Sequence, residues 1–301
     1  LVTLRTTNPD LLEEKFREIA FNNFDQHADQ YTSCYNVIYS QKNNEHFSSM
    51  SGLGMPGTKA EGSDMTYDDP VQLWDTTFTP ITYAKGLRIT MEAMDDDQYG
   101  ILGERMFSTM GRGFKERVEQ TAADVFNNGF TTQTASDGVA LFSTSHTRNP
   151  DDATTHSNRA GTDADLSVAT LKAAITNFED TRDHRGLHIR LMPSQLVVTT
   201  ADRFTAEEIL KSELQPYVTE NQVNVLRSEG LTPVVNNYLT DADSWFLLAN
   251  KSDHDLTFVW RKPFTVKRDS DFDSWDAKFG AVMRFDAGVI DWRGTYGVAG
   301  A

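Results

Sequence analysis

The sequence predicts an α+β fold, and three observations carry that reading. Apolar residues recur at strict i+4 spacing through Leu102, Met106, Met110, Phe114, Val118, Ala122 and Phe126, the stripe of one long amphipathic helix. Two alternating runs, Leu256 to Lys267 and Phe279 to Ile290, flank the acidic turn Asp269 to Asp276 and read as the arms of a long β-hairpin. Helices and hairpins follow one another without the strand–helix–strand alternation of a parallel sheet, and the chain has no internal repeat.

In chain order, a first helix is expected over Asn8 to Asn23. Asn8 followed by Pro9 is an N-cap with proline at the first helical position, and Leu12, Phe16, Ile19, Ala20 and Phe24 recur at helical spacing. Tyr31, Tyr35, Val37 and Tyr39 then form an extended aromatic stretch. One amphipathic helix and an extended tail make no core alone, so they must pack on another part of this chain or on a neighbour. Residues 46 to 80 carry few large aliphatic side chains. Gly52, Gly54, Gly57 and Gly62 punctuate them, with Met50, Met55 and Met65 between. This is the composition of a long projecting loop or hairpin, and loops of that length are usually functional. Residues 78 to 91 alternate as a strand through Phe78, Ile81, Tyr83, Leu87, Ile89 and Met91. Asp95, Asp96 and Asp97 stand where a helix N-terminus favours negative charge. The long helix runs from there to the stop signal Asn128-Gly129. Its span of about 30 residues, roughly 45 Å, is well beyond that of the ordinary helix.

Residues 131 to 165 are rich in Thr, Ser, Asp, Asn and Gly and read as loops around one apolar island, Val139 to Phe142. A second amphipathic helix is expected over 166 to 181, with Leu171, Ile175 and Phe178 on its apolar face. A strand follows over Ile189 to Thr199, then a helix from Arg203 to Leu214 with Asp202 as its cap. Val234-Val235 and Trp245 to Ala249 are two short strands before the hairpin.

A chain of 301 residues buries a core without disulfide staples, and eighteen Phe and five Trp supply its aromatic surface. The 44 acidic and 28 basic residues leave a formal charge of −16. A free-standing nucleic-acid binder carries a basic stripe that meets the phosphate backbone, so this class is disfavoured. Cys34 is the single cysteine, which excludes an intrachain disulfide and cysteine-rich zinc modules and is compatible with a reducing compartment. No run approaches the roughly 20 apolar residues of a membrane span, and Leu1 to Asp10 contain no apolar stretch of signal-peptide length. The chain begins with Leu rather than Met, as after removal of an N-terminal segment or in a numbering that starts inside a longer product.

Several motifs suggest chemistry and fail on context. Gly52-Leu53-Gly54-Met55-Pro56-Gly57 fits G-x-G-x-x-G, but polar residues precede it, no helix follows, and Pro56 lies inside the turn. The same stretch has Thr58-Lys59 where a phosphate loop needs Lys-Ser/Thr. Asp269, Asp271 and Asp273 have the alternate spacing of a calcium loop, yet Ser274 stands where glycine is needed and Gly280 where glutamate is needed. Ser143, Ser145 and His146 lack a nucleophile elbow. His184 and His188 are interrupted by Gly186 and read as a turn rather than a metal-binding helix face. Asn250-Lys251-Ser252 is a glycosylation sequon by pattern only. No catalytic, cofactor-binding or metal-binding residue is therefore expected. What stands out is a long N-terminal arm, a glycine-rich projecting loop, one very long helix and one long hairpin. Arms and projecting loops cannot bury themselves, and neighbouring copies supply the missing surface in a heterologous assembly.

That order of parts resembles the major capsid proteins of tailed phages with the Hong Kong 97-type fold, and among them the Mu-like major head subunits. Three segments carry the resemblance. The first is Phe107 to Asp137, running through Phe126-Asn127-Asn128-Gly129-Phe130 and on from Asp137-Gly138-Val139-Ala140 to His146. The second is Trp245-Phe246-Leu247-Leu248-Ala249-Asn250. The third is Met283 to Gly294, with Trp292-Arg293-Gly294 at its end. The resemblance covers most of residues 60 to 301.

The resemblance implies a layout. Residues 1–45 are an N-arm and 46–88 an extended loop lying over a neighbouring subunit. Residues 89–130 and 251–290 form a peripheral domain with a long spine helix and β-hairpin, and 131–250 and 291–301 an axial domain around each capsomer centre. It also implies a structural, non-enzymatic protein that self-assembles into hexamers and pentamers of an icosahedral shell enclosing double-stranded DNA. Such a protein belongs to the virion and is assembled in the host bacterial cytoplasm. Its implied partners are other copies of itself, a decoration or cement protein, portal and scaffold; DNA is held without specific binding, and no membrane is involved. Some relatives crosslink subunits through Lys and Asn, and Lys59 lies near the loop tip, although no acid/base group for such a reaction is identifiable. Two other classes are compatible with the sequence: an encapsulin-like nanocompartment shell, and a soluble enzyme whose site is assembled from scattered acids and histidines.

Overall fold

The apolar period of the N-terminal segment closes as helix α1 (Pro9–Asp25), followed by a single helical turn, α2 (Tyr31–Cys34), and strand β1 (Asn36–Tyr39). The computed structural model describes residues 9–26, 28–96, 101–216, 222–270 and 276–301. Strands β2 (Glu45–Met50) and β3 (Gln72–Phe78) pair antiparallel. Strand β4 (Ile81–Ile89), the short helix α3 (Met91–Asp96) and the long helix α4 (Ile101–Asn127) come next. A small hairpin, β5 (His146–Asn149) and β6 (Asp152–His156), precedes helix α5 (Val168–Glu179), strand β7 (Gln195–Val198) and helix α6 (Arg203–Lys211). Strands β8 (Thr232–Val235), β9 (Trp245–Leu248), β10 (Leu256–Ser270), β11 (Ala277–Val289) and β12 (Thr295–Val298) complete the chain.

Two four-stranded sheets organise these elements. The first has the order β1-β10-β11-β4. Its alternation is that of a half-buried sheet: Phe279, Ala281, Met283 and Phe285 are buried, and Lys278, Gly280, Val282 and Arg284 between them face away. The buried face packs on α4 and α1. Phe107 meets Phe279 edge-on at 4.7 Å, and Phe264 contacts Phe114 at 5.0 Å and stacks on Phe24 at 4.9 Å. The second sheet has the order β12-β9-β7-β8. Leu196, Val198, Trp245 and Leu247 pack with α5 and α6 on one face, while Val197, Phe246 and Leu248 join the core around Phe126 and Phe142 on the other. Burial on both faces explains why Trp245 to Leu248 is apolar at every position.

Helix α4 runs its 27 residues through one continuous core that reaches from the first sheet to the inner face of the second. Met110, Phe114, Val118, Ala122 and Phe126 of the expected stripe are all buried. Helix α1 lies close against α4 because glycines face it: a Cβ on Gly111 would come 2.2 Å from the Ala20 carbonyl oxygen, and one on Gly103 would come 2.5 Å from the Phe16 ring. The N-terminal arm thus packs on its own chain.

Some elements depart from the sequence expectation. The acids expected to start the long helix do not do so: Asp95 and Asp96 end α3, whose start is set by Thr90, its hydroxyl accepting from the Ala93 N–H at 3.3 Å. Asp97, like the Asn8 cap and Asp271, Asp273 and Ser274 of the acidic turn, lies outside the described residues. Tyr31 to Cys34 form a helical turn rather than extended chain. The strand expected over Ile189 to Thr199 is confined to Gln195–Val198, because Arg190 takes a left-handed φ of 60° and Pro193 has no N–H to donate. Helix α6 stops at Lys211, where the Asn224 amide donates to the carbonyls of Ile209 and Ser212, and Asp202 makes no capping hydrogen bond. The β5–β6 hairpin falls where only loops were expected.

Candidate assembly surface

The projecting segment is a two-stranded ladder with a long irregular tip. At its neck the Ser51 N–H donates to the Val71 carbonyl at 2.9 Å, and the Val71 N–H donates to the Ser51 hydroxyl at 2.9 Å. At its base Phe78 is buried against β11 where Gly288 leaves room; a Cβ there would lie 2.9 Å from the Phe78 ring. One guanidinium holds both sides of the neck. Arg185 Nε donates to the Gly52 carbonyl at 3.2 Å, and an Nη donates to the Asp69 carbonyl at 2.6 Å and lies 3.4 Å from the Asp68 carboxylate. Beyond this anchor the tip stands in solvent. Leu53, Met55, Met65 and Tyr67 are exposed, the last two at 65% and 89%. Several large apolar side chains on one projecting segment mark an interaction surface.

The N-terminal arm is fixed by polar contacts that the apolar stripe does not announce. Lys115 and Glu119 sit one turn apart on α4 and are both buried. The Glu119 carboxylate accepts from the backbone N–H groups of Gln30 at 2.9 Å and Tyr31 at 3.0 Å. Lys115 pairs with Asp29 and lies 3.9 Å from Glu119. Burial raises the Glu119 carboxyl above its ordinary range, against the pull of the two N–H donors, and burial lowers the Lys115 ammonium. Further along, the Tyr35 hydroxyl donates to the Ala122 carbonyl at 2.7 Å. In the sequence this latch is only a charged pair at i, i+4 beside Phe114, Val118 and Ala122, a pattern that does not say which backbone groups it binds.

Two of the segments that carry the resemblance meet around His146. Its Nδ1 lies 2.6 Å from the Asp137 carboxylate, and its Nε2 lies 3.1 Å from both the Leu141 carbonyl and Asn158 Oδ1. The ring stacks on Trp292 at 4.6 Å. Asn158 closes the knot, its amide donating to the Leu141 carbonyl at 2.7 Å and its oxygen accepting from the Ser143 N–H at 2.9 Å. His146 is fully buried and engaged on both nitrogens by Asp137, Leu141 and Asn158 rather than by Ser143 or Ser145, whose hydroxyls bond each other at 3.1 Å.

The other residues singled out by sequence are not brought together. The Gly52 to Gly57 run and Lys59 lie in the exposed loop tip, with no helix after them. His184 contacts the Arg148 carbonyl at 3.1 Å and Asp291 at 3.5 Å, whereas His188 lies 3.5 Å from Asp180; Gly186 between them takes a φ of 86°. Burial, and then the Arg293 charge, lower the His184 ring. Asn250, Lys251 and Ser252 form an exposed turn. Cys34 is buried, which pushes its thiol up to about 11. The Arg185 anchor escaped the sequence reading because a lone arginine in a polar loop carries no periodic signal.

Comparison with known proteins gives three findings. Residues 74–298 match a family model described as phage capsid protein. No curated protein sequence matches the chain. Solved structures with the same fold include the virus-like particle from Pyrococcus furiosus, at 10% identity and a TM-score of 0.55 over 95% of this chain and 98% of that one. Microbacterium phage Oxtober96 matches at 10% identity and a TM-score of 0.57, over 91% and 92% of the two chains. The capsid of bacteriophage JBD30 decorated with minor capsid protein trimers matches at 13% identity and a TM-score of 0.56, over 71% and 92%. These matches do not single out the Mu-like head subunits.

Proposed function

The chain belongs to the phage capsid protein family and is a major capsid protein, a structural part of the virion; from that premise we propose that its copies assemble as hexamers and pentamers into the icosahedral head of a tailed bacteriophage around double-stranded DNA. The observation that carries this reading is the extended loop, whose apolar tip (Leu53, Met55, Met65 and Tyr67) is exposed among the described residues and is suited to cover by a neighbour.

In this reading residues 1–45 are the N-arm, latched on the spine helix, and 46–88 the extended loop, whose last strand β4 is hydrogen-bonded to the hairpin. Residues 89–130 and 251–290 make the peripheral domain, and 131–250 with 291–301 the axial domain. Assembly takes place in the host bacterial cytoplasm with portal and scaffold. A decoration protein is a further proposed partner, supported by the minor capsid protein trimers on the JBD30 capsid. The protein has no catalytic role, consistent with the enclosure of His146 in a packing knot. The charge of −16 fits a shell that does not adhere to its cargo, so free DNA is expected to bind weakly at physiological salt.

Negative-stain microscopy of the fastest-sedimenting fraction tests the proposal. Uniform polyhedral shells containing DNA are the expected result, and small oligomers under every assembly condition would overturn it. The likeness to the Pyrococcus furiosus particle supports a second reading, a nanocompartment shell. Shells that hold protein and no DNA would favour that reading.

A further inference from the structure

We propose that Lys115 and Asp29 of one chain condense into an isopeptide bond, with the Glu119 carboxyl as proton carrier, so that the N-terminal arm is tied covalently to the spine helix. Both ends belong to the same chain, so the bond is not a crosslink between subunits. It depends on the fold of one copy and not on shell assembly.

The three groups that such a condensation needs meet at one point of the arm–helix contact. The nucleophile is the Lys115 amine, buried on α4, and its Nζ pairs directly with the Asp29 carboxylate, 86 positions away in sequence. The proton carrier is Glu119, buried one turn on, with a carboxyl oxygen 3.9 Å from Nζ. The Gln30 and Tyr31 N–H groups donate to that same carboxyl, which fixes the backbone immediately after Asp29 and with it the electrophile. The Phe24 ring, its centroid 5.4 Å from Nζ, and the buried Phe114 on the same helix make the amine's surroundings apolar. Groups held in this way react as if at about 10⁵–10⁸ M, which drives an amine and a carboxyl group together in water. Burial lowers the Lys115 ammonium against the charges of Glu119 and Asp25, and burial raises the Glu119 carboxyl; both directions favour the neutral amine and the protonated acid that the step uses. The Asp29 side chain is 42% exposed, which gives the released water a path to solvent.

The step balances without a co-reactant. One proton passes from the Lys115 ammonium to the Asp29 carboxylate, and the amine lone pair then forms the Nζ–Cγ bond. Glu119 gives its proton to the departing hydroxyl and takes one from nitrogen as the Cγ–O bond breaks. Ammonium and carboxylate become one amide and one water, and Glu119 ends as it began. This is a single event on the chain itself, with no substrate turned over.

Intact-mass spectrometry of the denatured full chain tests the inference. The wild-type chain is expected to be one water lighter than its sequence. Its tryptic digest is expected to hold a branched peptide that joins residues 18–42 to 113–117 through Asp29 and Lys115. Lys115→Arg keeps a cation beside Asp29 but offers no amine, because the guanidinium stays protonated. Glu119→Gln keeps an acceptor for the arm and removes the proton carrier. Both variants are expected to show their full sequence mass with wild-type far-ultraviolet circular dichroism. Asp29→Asn is expected to lose ammonia instead of water and to end at the mass of the reacted wild type, since both reactions leave the same amide. A wild-type chain at its full sequence mass would overturn the inference whatever the variants do. So would a water loss confined to an unbranched peptide, which marks an aspartyl imide, or one that persists in Lys115→Arg. The branched peptide in Glu119→Gln would overturn the role given to Glu119.

Discussion

The Glu119 carboxylate holds the backbone N–H of Tyr31 at 3.0 Å and that of Gln30 at 2.9 Å, so one side chain of the spine helix caps the helical turn α2 within the N-terminal arm. Glu119→Ala leaves both donors without an acceptor and deprives Lys115 of a neighbouring charge. The expected cost is about 3 kcal/mol. It should be read as a lower urea midpoint of the dissociated subunit and faster amide exchange at residues 28–35. Exchange there equal to wild type would show that the latch does not hold the arm.

Two glycines two residues apart, on opposite sides of the spine helix, should respond oppositely to alanine. A Cβ on Gly111 would press on the Ala20 carbonyl, which is backbone and cannot rotate away, whereas one on Gly113 meets nothing within 4 Å. Gly111→Ala should destabilise by about 2 kcal/mol or more as α1 is pushed off. Gly113→Ala should stabilise by roughly 0.5–1 kcal/mol through helix propensity. Thermal unfolding of the two variants side by side decides it, and shifts of the same sign would refute the packing of α1 on α4.

Arg185 binds both sides of the loop neck, so Arg185→Ala should loosen the loop without unfolding the subunit. Amide exchange over residues 51–71 should accelerate several-fold, with global stability changed by less than about 1 kcal/mol. Unchanged exchange would mean that the Ser51–Val71 pair alone sets the neck.

His254 gives a pH dependence with a defined sign. It is 2% exposed, its Nδ1 accepts from the Leu256 N–H at 3.3 Å, and its Nε2 has no hydrogen-bond partner among the described residues. Burial, and then the nearby Lys251 charge, push its ring from 6.5 down to about 4. The unfolded chain therefore binds a proton in this window that the folded chain refuses, and stability falls as pH drops from 6.5 to about 4. The full contribution is about 3 kcal/mol. His254→Gln keeps an acceptor for Leu256 and does not titrate, so its stability should decline less steeply over the same window. Equal slopes in the two proteins would remove His254 as the cause.

The four relationships differ in how far the sequence announces them. The stripe through Met110, Phe114 and Phe126 made the spine helix plain, and alternation made the hairpin plain, because each period is the geometry of one element against one apolar surface. The exposed methionine loop was legible from composition. Arg185, Asn158 and Glu119 were not, since each acts on backbone groups far along the chain that no local pattern specifies. Asp95 and Asp96 misled for a related reason: acidic residues suit a helix N-terminus, but the hydroxyl of Thr90 placed a short helix before the long one.

By itself, then, the sequence determined the long helix, the long hairpin and the main amphipathic helices, the acidic composition, the projecting loop and the resemblance to phage capsid proteins. Tertiary structure alone decided that β1 runs parallel to β10, with Asn36 opposite Thr257, and that β7 is inserted between β9 and β8. It also decided that His146 is spent on Asp137 and Trp292. The physical reason is common to all of these. Periodicity fixes which face of an element is apolar, whereas pairing, register and polar satisfaction depend on donors and acceptors that meet only when distant segments fold together.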